Sequence, residues 1–125
     1  MSTVDLTADT FEQAVTGNDI VLVDWWAAWC GPCRAFAPIF EAASETHKDI
    51  VFGKIDTDAQ PELSGSFQIR SIPTLMIFRD GILLLDQPGS LPKMALEDLI
   101  RQVRGLDMDD VRRKIEEAEK AKPQA

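Results

Sequence analysis

Residues 20–36 read IVLVDWWAAWCGPCRAF, and this stretch holds both the clearest strand pattern and the only two cysteines of the chain. Its first seven residues form a near-continuous apolar run, which is typical of a strand buried on both faces. Cys30 and Cys33 follow, with two residues between them. A disulfide that closes so small a ring removes little entropy from the unfolded chain and is a poor structural cross-link. The pair is better interpreted as a reversible two-electron couple, provided that a fold holds it at a helix start.

Apolar runs and helical patterns alternate on both sides of this stretch. We predict strands over residues 3–6, 20–26, 50–55, 74–78 and 82–85, and helices over residues 10–15, 34–47, 91–104 and 106–122, with a short helix beginning near Pro61. Asp80 and Gly81 predict a two-residue hairpin turn, so the last two strands should be antiparallel. This order indicates an α/β fold with a central mixed sheet, parallel except for an antiparallel hairpin, and helices on both faces.

The two C-terminal helical patterns differ in their apolar faces. In the helix over 91–104, the residues expected to face inward are Met94, Leu96, Leu99, Ile100 and Val103. Gly105 ends that helix, and the next one has only a thin apolar stripe that includes Met108, Val111 and Ile115. We therefore predict one domain over residues 1–105 and a C-terminal helical extension over residues 106–125.

Composition and charge exclude several classes of function. The chain has 125 residues and a net charge of −8, so a nucleic-acid partner is not expected, because phosphate binding needs a basic face. The one dense basic cluster, Arg112-Arg113-Lys114, lies among acidic residues and indicates a solvated helix face. No apolar run has the length needed to span a bilayer, and residues 1–9 lack the pattern of a secretory signal. We therefore expect no membrane partner and a cytoplasmic location.

A zinc site is the main structural alternative for the cysteine pair. Zinc needs about four ligands, whereas the chain offers one histidine, His47, and no second pair of cysteines. We therefore predict no metal site. His47 ends a polar helical pattern and is expected to lie on the surface.

The chain resembles the thioredoxin family over roughly residues 3–104. The residues that carry the resemblance are VDWWAAWCGPCRAFAP (23–38), KIDTD (54–58), SIPTLMIFRDG (71–81) and Pro88-Gly89, in the order of the family and at about its spacing. Two cysteines in this spacing are a weak signal alone, but the upstream aspartate and the downstream Ile-Pro-Thr make it specific. The resemblance implies the thioredoxin fold, with the last helix added to it.

The resemblance and helix physics together assign roles around the cysteines. Cys30 is expected at a helix N-terminus, where free N–H groups and the helix dipole stabilise a thiolate, which makes it the nucleophile. Cys33 is then the resolving thiol. The family has an aspartate beneath the resolving cysteine that exchanges its proton, and Asp24 matches it. Lys54 matches the lysine that pairs with this aspartate. A plain structural ion pair between Asp24 and Lys54 is the alternative.

The resemblance also implies a surface for substrates. Ile72-Pro73-Thr74 matches a loop whose cis proline faces the cysteines and leaves the backbone of Ile72 free to bond a substrate chain. An ordinary trans proline is the alternative. The residues expected to contact substrates are Trp29, Gly31, Pro32, Ile72, Pro73 and Gly89. Pro88, Phe67 and Ser71 depart from the usual pattern of the family, so the choice of substrate stays open.

The leading interpretation is a protein-disulfide reductase that acts by dithiol-disulfide exchange. The resemblance implies disulfide-containing protein substrates, recycling by an NADPH-dependent thioredoxin reductase, and no cofactor beyond the dithiol itself. The chain has no Gly-rich phosphate loop, and we expect a monomer. A redox-sensitive module that binds a partner through the C-terminal helix is the alternative. An oxidase or isomerase is disfavoured by the Gly-Pro pair between the cysteines and by the missing secretory signal.

Overall fold

The computed structural model describes residues 2–121 and contains one five-stranded sheet in the order β1-β3-β2-β4-β5. The strands are β1 (Thr3–Asp5), β2 (Ile20–Trp26), β3 (Val51–Asp56), β4 (Thr74–Arg79) and β5 (Ile82–Pro88). The helices are α1 (Phe11–Thr16), α2 (Gly31–Thr46), α3 (Pro61–Ser66), α4 (Lys93–Arg104) and α5 (Met108–Ala121). Strands β1, β3 and β2 are parallel, whereas β4 is antiparallel to both β2 and β5. The predicted mixed sheet with an antiparallel hairpin is confirmed.

Alternate residues of the central strand β2 build two separate cores, because successive side chains of a strand point to opposite faces. Leu22 packs in the core under α2 and α4, together with Phe36, Phe40 and Ile100. On the other face, Val21, Val23 and Trp25 pack against α1 and the α3 region. Asp24 therefore shares the face of Leu22 and lies toward α2.

The hairpin between β4 and β5 has the turn that its sequence predicts. Asp80 and Gly81 both have positive φ, at 54° and 77°, as a two-residue type I′ turn requires. The paired strands run on to Pro88, which faces Thr74 across the ladder. The hairpin thereby places the residue after Pro88 beside the start of β4.

Helix α2 starts earlier than its apolar spacing predicts, at the position that the cysteine motif predicts. Helix α2 begins at Gly31, three residues before the predicted start, with Pro32 in the first turn. A proline is well tolerated there because the N–H groups of the first turn have no partner within the helix. Apolar spacing could not reveal this turn, because its side chains are glycine, proline and cysteine.

Two side chains lie elsewhere than predicted. Met94 is 84% exposed, so its assignment to the inward face of α4 was wrong. It lies two residues before the buried Leu96, which is about 200° around a helix and therefore on the opposite side. His47 is half-buried, and its Nε2 lies 2.6 Å from Glu97 Oε2 while its Nδ1 lies 3.1 Å from Arg104 Nη2. It links the end of α2 to α4 and is not a free surface residue.

The predicted C-terminal helix is present, and its first turn packs against the rest of the chain. Met108 is buried, and Arg112 pairs with Asp80 of the hairpin at 3.0 Å. Arg79 Nη1 donates to the carbonyl oxygens of Val103 and Leu106, at 2.8 and 3.1 Å. Beyond this turn the residues of α5 are exposed. Lys122, the last residue of the predicted helix, lies outside the described residues.

The charges of α5 pair along its own surface. Lys114 and Arg113 both pair with Asp110, and Lys120 pairs with Glu116 at 3.2 Å. The interpretation of the basic cluster as a solvated helix face is therefore confirmed. No helix within residues 2–121 is long and apolar enough to cross a membrane.

Candidate functional site

The site is built on the junction between β2 and α2, where the cysteine pair lies. Cys30 is the N-cap residue of α2 with extended backbone angles, and its Sγ accepts a hydrogen bond from the backbone N–H of Cys33 at 3.2 Å. The two cysteines form a disulfide, with their Cα atoms 5.2 Å apart. Free N–H groups at a helix start carry partial positive charge. Reduction of the disulfide therefore leaves Cys30 where a sulfur anion is stabilised.

Two further segments converge on Cys30. The carbonyl oxygen of Ile72 lies 3.6 Å from Cys30 Sγ, and the Ile72–Pro73 peptide bond is cis, in agreement with the resemblance. The N–H of Gly89 donates to the carbonyl oxygen of Pro73 at 2.8 Å. Gly89 has a φ of 96°, in the region that favours glycine. The chain thus brings Ile72, Pro73 and Gly89 together beside the disulfide.

Trp29 provides the exposed apolar surface next to Cys30. It is 68% exposed, and its indole Nε1 donates to Asp58 Oδ2 at 2.9 Å. The carboxylate of Asp56 in turn accepts the backbone N–H of Asp58 and of Ala59, which fixes the turn after β3. Asp56 thus fixes the turn, and Asp58 additionally holds Trp29 in place.

A groove of about 380 Å³ lies on the side of Trp29 and Ile72. Besides these two residues, its lining comprises Thr57, Ile69, Arg70 and Ser71. It joins the β3–α3 turn to the loop before β4. The disulfide therefore stands at the edge of a concave surface with both apolar and polar walls.

Asp24 lies behind the disulfide in a cavity of about 100 Å³ that Cys33 also lines. Its carboxyl group is fully buried, and neither oxygen has a hydrogen-bond partner within residues 2–121. Burial raises the pKa of Asp24 from 3.8 to about 7, and the charge of Lys54 opposes part of that rise. A carboxyl group that titrates near neutral pH is suited to accept and return a proton.

Lys54 does not pair directly with Asp24. The two residues are neighbours across β2 and β3, but the Lys54 ammonium lies over the ring of Trp26, 5.1 Å from its centroid. Lys54 also lines the cavity. Its charge therefore acts on Asp24 through space, and the direct ion pair that the sequence suggested is not formed.

Arg34 closes the other side of the same cavity. Its Nη1 donates to the carbonyl oxygen of Ala28 at 2.9 Å, which ties the first turn of α2 to the loop before the disulfide. Among residues 2–121 there is no group of three or more histidine, cysteine or acidic side chains placed to hold a metal ion. The site brings together two sulfurs and one buried carboxyl group.

The sequence identified most of these residues but missed three. These three residues belong to the site because of contacts that form only in the folded chain. Asp58 bonds to Trp29, Arg34 bonds to Ala28 across the loop before α2, and Arg70 lines the groove beside Trp29. No local pattern marks such contacts. Gly31 and Pro32 lie exposed in the first turn of α2 beside Cys30, where a bound chain can reach them.

Comparison with known proteins gives consistent results. Residues 2–102 match the family model described as Thioredoxin. The chain is 56% identical over 116 residues to "Putative thioredoxin 2" of Streptomyces coelicolor, covering 93% of this chain and 87% of that protein. It is 44% identical over 103 residues to "Thioredoxin" of Alicyclobacillus acidocaldarius, covering 82% and 98% of the two chains.

Solved structures give the same result for the fold. A mutant thioredoxin from Halobacterium salinarum is similar with a TM-score of 0.76 and 32% identity, covering 84% of this chain and 92% of that one. Plasmodium falciparum thioredoxin is similar with a TM-score of 0.73 and 32% identity, covering 80% and 97%.

Proposed function

The chain belongs to the thioredoxin family of thiol-disulfide oxidoreductases, and from this premise we propose that it is a protein-disulfide reductase. The observation that carries the proposal is the position of Cys30. Its sulfur caps a helix start and accepts the N–H of Cys33, beside an exposed apolar surface. After reduction, the helix start stabilises the thiolate form of a sulfur placed there, and the thiolate is the attacking species in disulfide exchange.

Two exchange steps transfer two electrons to the substrate. The Cys30 thiolate attacks one sulfur of the substrate disulfide, the substrate S–S bond breaks, and one substrate sulfur leaves as a thiolate. The Cys33 thiolate then attacks Cys30 Sγ, which breaks the mixed disulfide and releases the second substrate sulfur. The substrate is reduced to two thiols, and Cys30 and Cys33 are oxidised to the disulfide.

Asp24 is proposed to take the proton that Cys33 must lose before its attack. Both residues line the same cavity, and the raised pKa of Asp24 leaves it able to accept a proton near neutral pH. Lys54 lines that cavity too, and its charge keeps the pKa of Asp24 from rising further. We expect Asp24→Asn to slow the release of the mixed disulfide.

We propose that substrate chains bind across the surface around Trp29, Gly31, Pro32, Ile72 and Gly89, with Pro73 buried beneath it. The backbone of Ile72 next to Cys30 can pair with an extended substrate segment, and the exposed indole of Trp29 supplies apolar contact area. Such backbone pairing makes few demands on substrate sequence. The surface therefore suits a reductase with many disulfide-containing protein substrates.

The family implies how the dithiol is regenerated. We propose that an NADPH-dependent thioredoxin reductase reduces the Cys30–Cys33 disulfide, that the protein needs no cofactor of its own, and that it acts as a monomer in the cytoplasm. Residues 1–105 are proposed as the catalytic domain and residues 106–125 as an appended helical segment.

The test is a coupled assay with NADPH, a thioredoxin reductase and insulin as the disulfide substrate. The proposal predicts continuous NADPH oxidation that stops when Cys30 is replaced by serine. The same assay on a chain that ends at Gly105 should give an unchanged rate. Slow turnover of the full chain, together with tight capture of one partner that needs α5, would instead favour the partner-binding module.

A further inference from the structure

The groove beside the disulfide has one charged side chain in its lining, that of Arg70. Trp29 precedes Cys30 in the chain, and the carbonyl oxygen of Ile72 lies 3.6 Å from Cys30 Sγ. Both residues also line the groove of about 380 Å³, together with Arg70. A substrate segment that extends from Cys30 toward this side therefore passes the guanidinium group of Arg70.

Arg70 is the only arginine of the chain that lacks a partner within the described residues 2–121, which include every arginine. Each of the others donates to a carboxylate or a carbonyl oxygen; these are Arg34, Arg79, Arg101, Arg104, Arg112 and Arg113. Arg70 is exposed and makes no hydrogen bond or ion pair with that part of the chain. Its five N–H donors are free to bind a ligand.

The surroundings of Arg70 leave its charge available. Asp58, the carboxylate near Trp29, accepts the indole N–H and forms no ion pair with Arg70. The hydroxyl of Thr57 is also occupied, since it donates to the carbonyl oxygen of Trp26 at 3.1 Å. Ile69 and Ile72 form the apolar part of the wall. The groove thus combines apolar surface with one unpaired cation.

Arg70 is a local positive charge on a protein whose net charge is negative. At −8, the protein as a whole repels acidic segments at long range. A guanidinium group matches the geometry of a carboxylate and can bind it through two parallel hydrogen bonds. Arg70 therefore offsets the general repulsion locally, next to the reacting disulfide.

We propose that Arg70 is a specificity-determining residue, and that the groove favours cystine-containing protein segments that carry an Asp or Glu side chain within about three residues of the reacting cysteine. Arg70 and Ile72 line the same groove, and three residues of an extended substrate segment span about 10 Å. This inference rests on the proposed disulfide reductase function. It adds the chemical class of the preferred substrate.

Two series of three disulfide peptides test the inference. In each series one position carries Glu, Gln or Lys. This position lies two residues before a cysteine in the first series and two residues after it in the second. The second-order rate constants for reduction by the pre-reduced protein should fall in the order Glu, Gln, Lys in at least one series. Each step should be about threefold, the size of an exposed ion pair. The differences should nearly vanish in 1 M NaCl because salt screens exposed charges.

Two charge-reversal variants separate a local effect from the net charge. Arg70→Glu should invert the order, so that the Lys peptide reacts fastest. Arg101→Glu is the matched control, because Arg101 is exposed on α4, pairs with Asp98 and does not line the groove. It should keep the order of the unmodified protein.

The outcomes distinguish this inference from the proposed function. Equal rates for the three peptides in both series, with insulin still reduced, overturn the selectivity and leave the reductase standing. Equal effects of Arg70→Glu and Arg101→Glu also overturn it, because net charge alone then explains the order. Failure to reduce either the peptides or insulin overturns the proposed function, and the inference with it.

Discussion

The buried carboxyl group of Asp24 makes the stability of the protein depend on pH in a predictable direction. Its pKa is about 7 in the folded chain and 3.8 in ordinary surroundings. Between these values the folded protein binds a proton that the unfolded chain has lost. The contribution of Asp24 to stability is therefore highest below a pH of about 4 and falls as the pH rises toward 7. At 1.36 kcal/mol per pKa unit, the loss is about 4 kcal/mol.

The variant Asp24→Asn removes this titration while it keeps the size of the side chain. The free energy of unfolding of the oxidised variant should be close to that of the unmodified protein at pH 4. At pH 8 the free energy of unfolding of the variant should exceed that of the unmodified protein by about 4 kcal/mol. The difference between the two proteins is the quantity to measure, by guanidinium unfolding at intervals from pH 4 to pH 9. Other carboxyl groups titrate alike in both proteins and cancel from this difference.

Asp9→Asn is the matched control, because Asp9 is exposed in the turn before α1. The free energy of unfolding of Asp9→Asn should equal that of the unmodified protein at every pH from 4 to 9. The prediction is wrong if the difference in free energy of unfolding between Asp24→Asn and the unmodified protein changes by less than about 1 kcal/mol between pH 4 and pH 8. The Asp24 carboxyl group would then ionise as easily in the folded protein as in the unfolded chain.

Three further predictions concern the site and the last helix. Cys33→Ser should abolish turnover and accumulate a covalent mixed disulfide between Cys30 and the substrate, visible by non-reducing electrophoresis; release of substrate at the normal rate would contradict the role of Cys33. Trp29→Ala should lower kcat/KM for insulin about tenfold by removing apolar contact area, while thermal unfolding shifts little because the side chain is exposed; unchanged kinetics would place substrate binding elsewhere. A chain that ends at Gly105 should lose about 2 kcal/mol of stability in guanidinium, since the buried Met108 is removed; a stability equal to that of the full chain would mean that α5 does not pack as described.

The sequence was sufficient for the parts of the fold that depend on local patterns. The apolar run of β2 predicts a central strand, and Asp80-Gly81 predicts the hairpin turn, because each pattern has one favourable backbone conformation. The position of Cys30 at a helix start followed from the resemblance that the cysteine motif carries. These features need no knowledge of distant residues.

The parts that the sequence could not give depend on contacts across the fold. Trp29 bonds to Asp58, and Lys54 lies over Trp26 and not against Asp24. Such choices are decided by side-chain packing between segments, which periodicity does not encode. Met94 shows that periodicity can also fail. It was assigned to the inward face of α4 because it is apolar, but its angle around the helix places it toward solvent.

Alkylation tests most directly whether the start of α2 stabilises the Cys30 thiolate. The fully reduced protein is treated with iodoacetamide at pH 7, the chain is digested, and mass spectrometry gives the rate of modification at each cysteine. We predict that Cys30 reacts first, at least tenfold faster than free cysteine, because the start of α2 stabilises its thiolate. We also predict that Cys33 is modified much more slowly. Alkylation of Cys33 first, or of Cys30 no faster than free cysteine, would contradict this prediction.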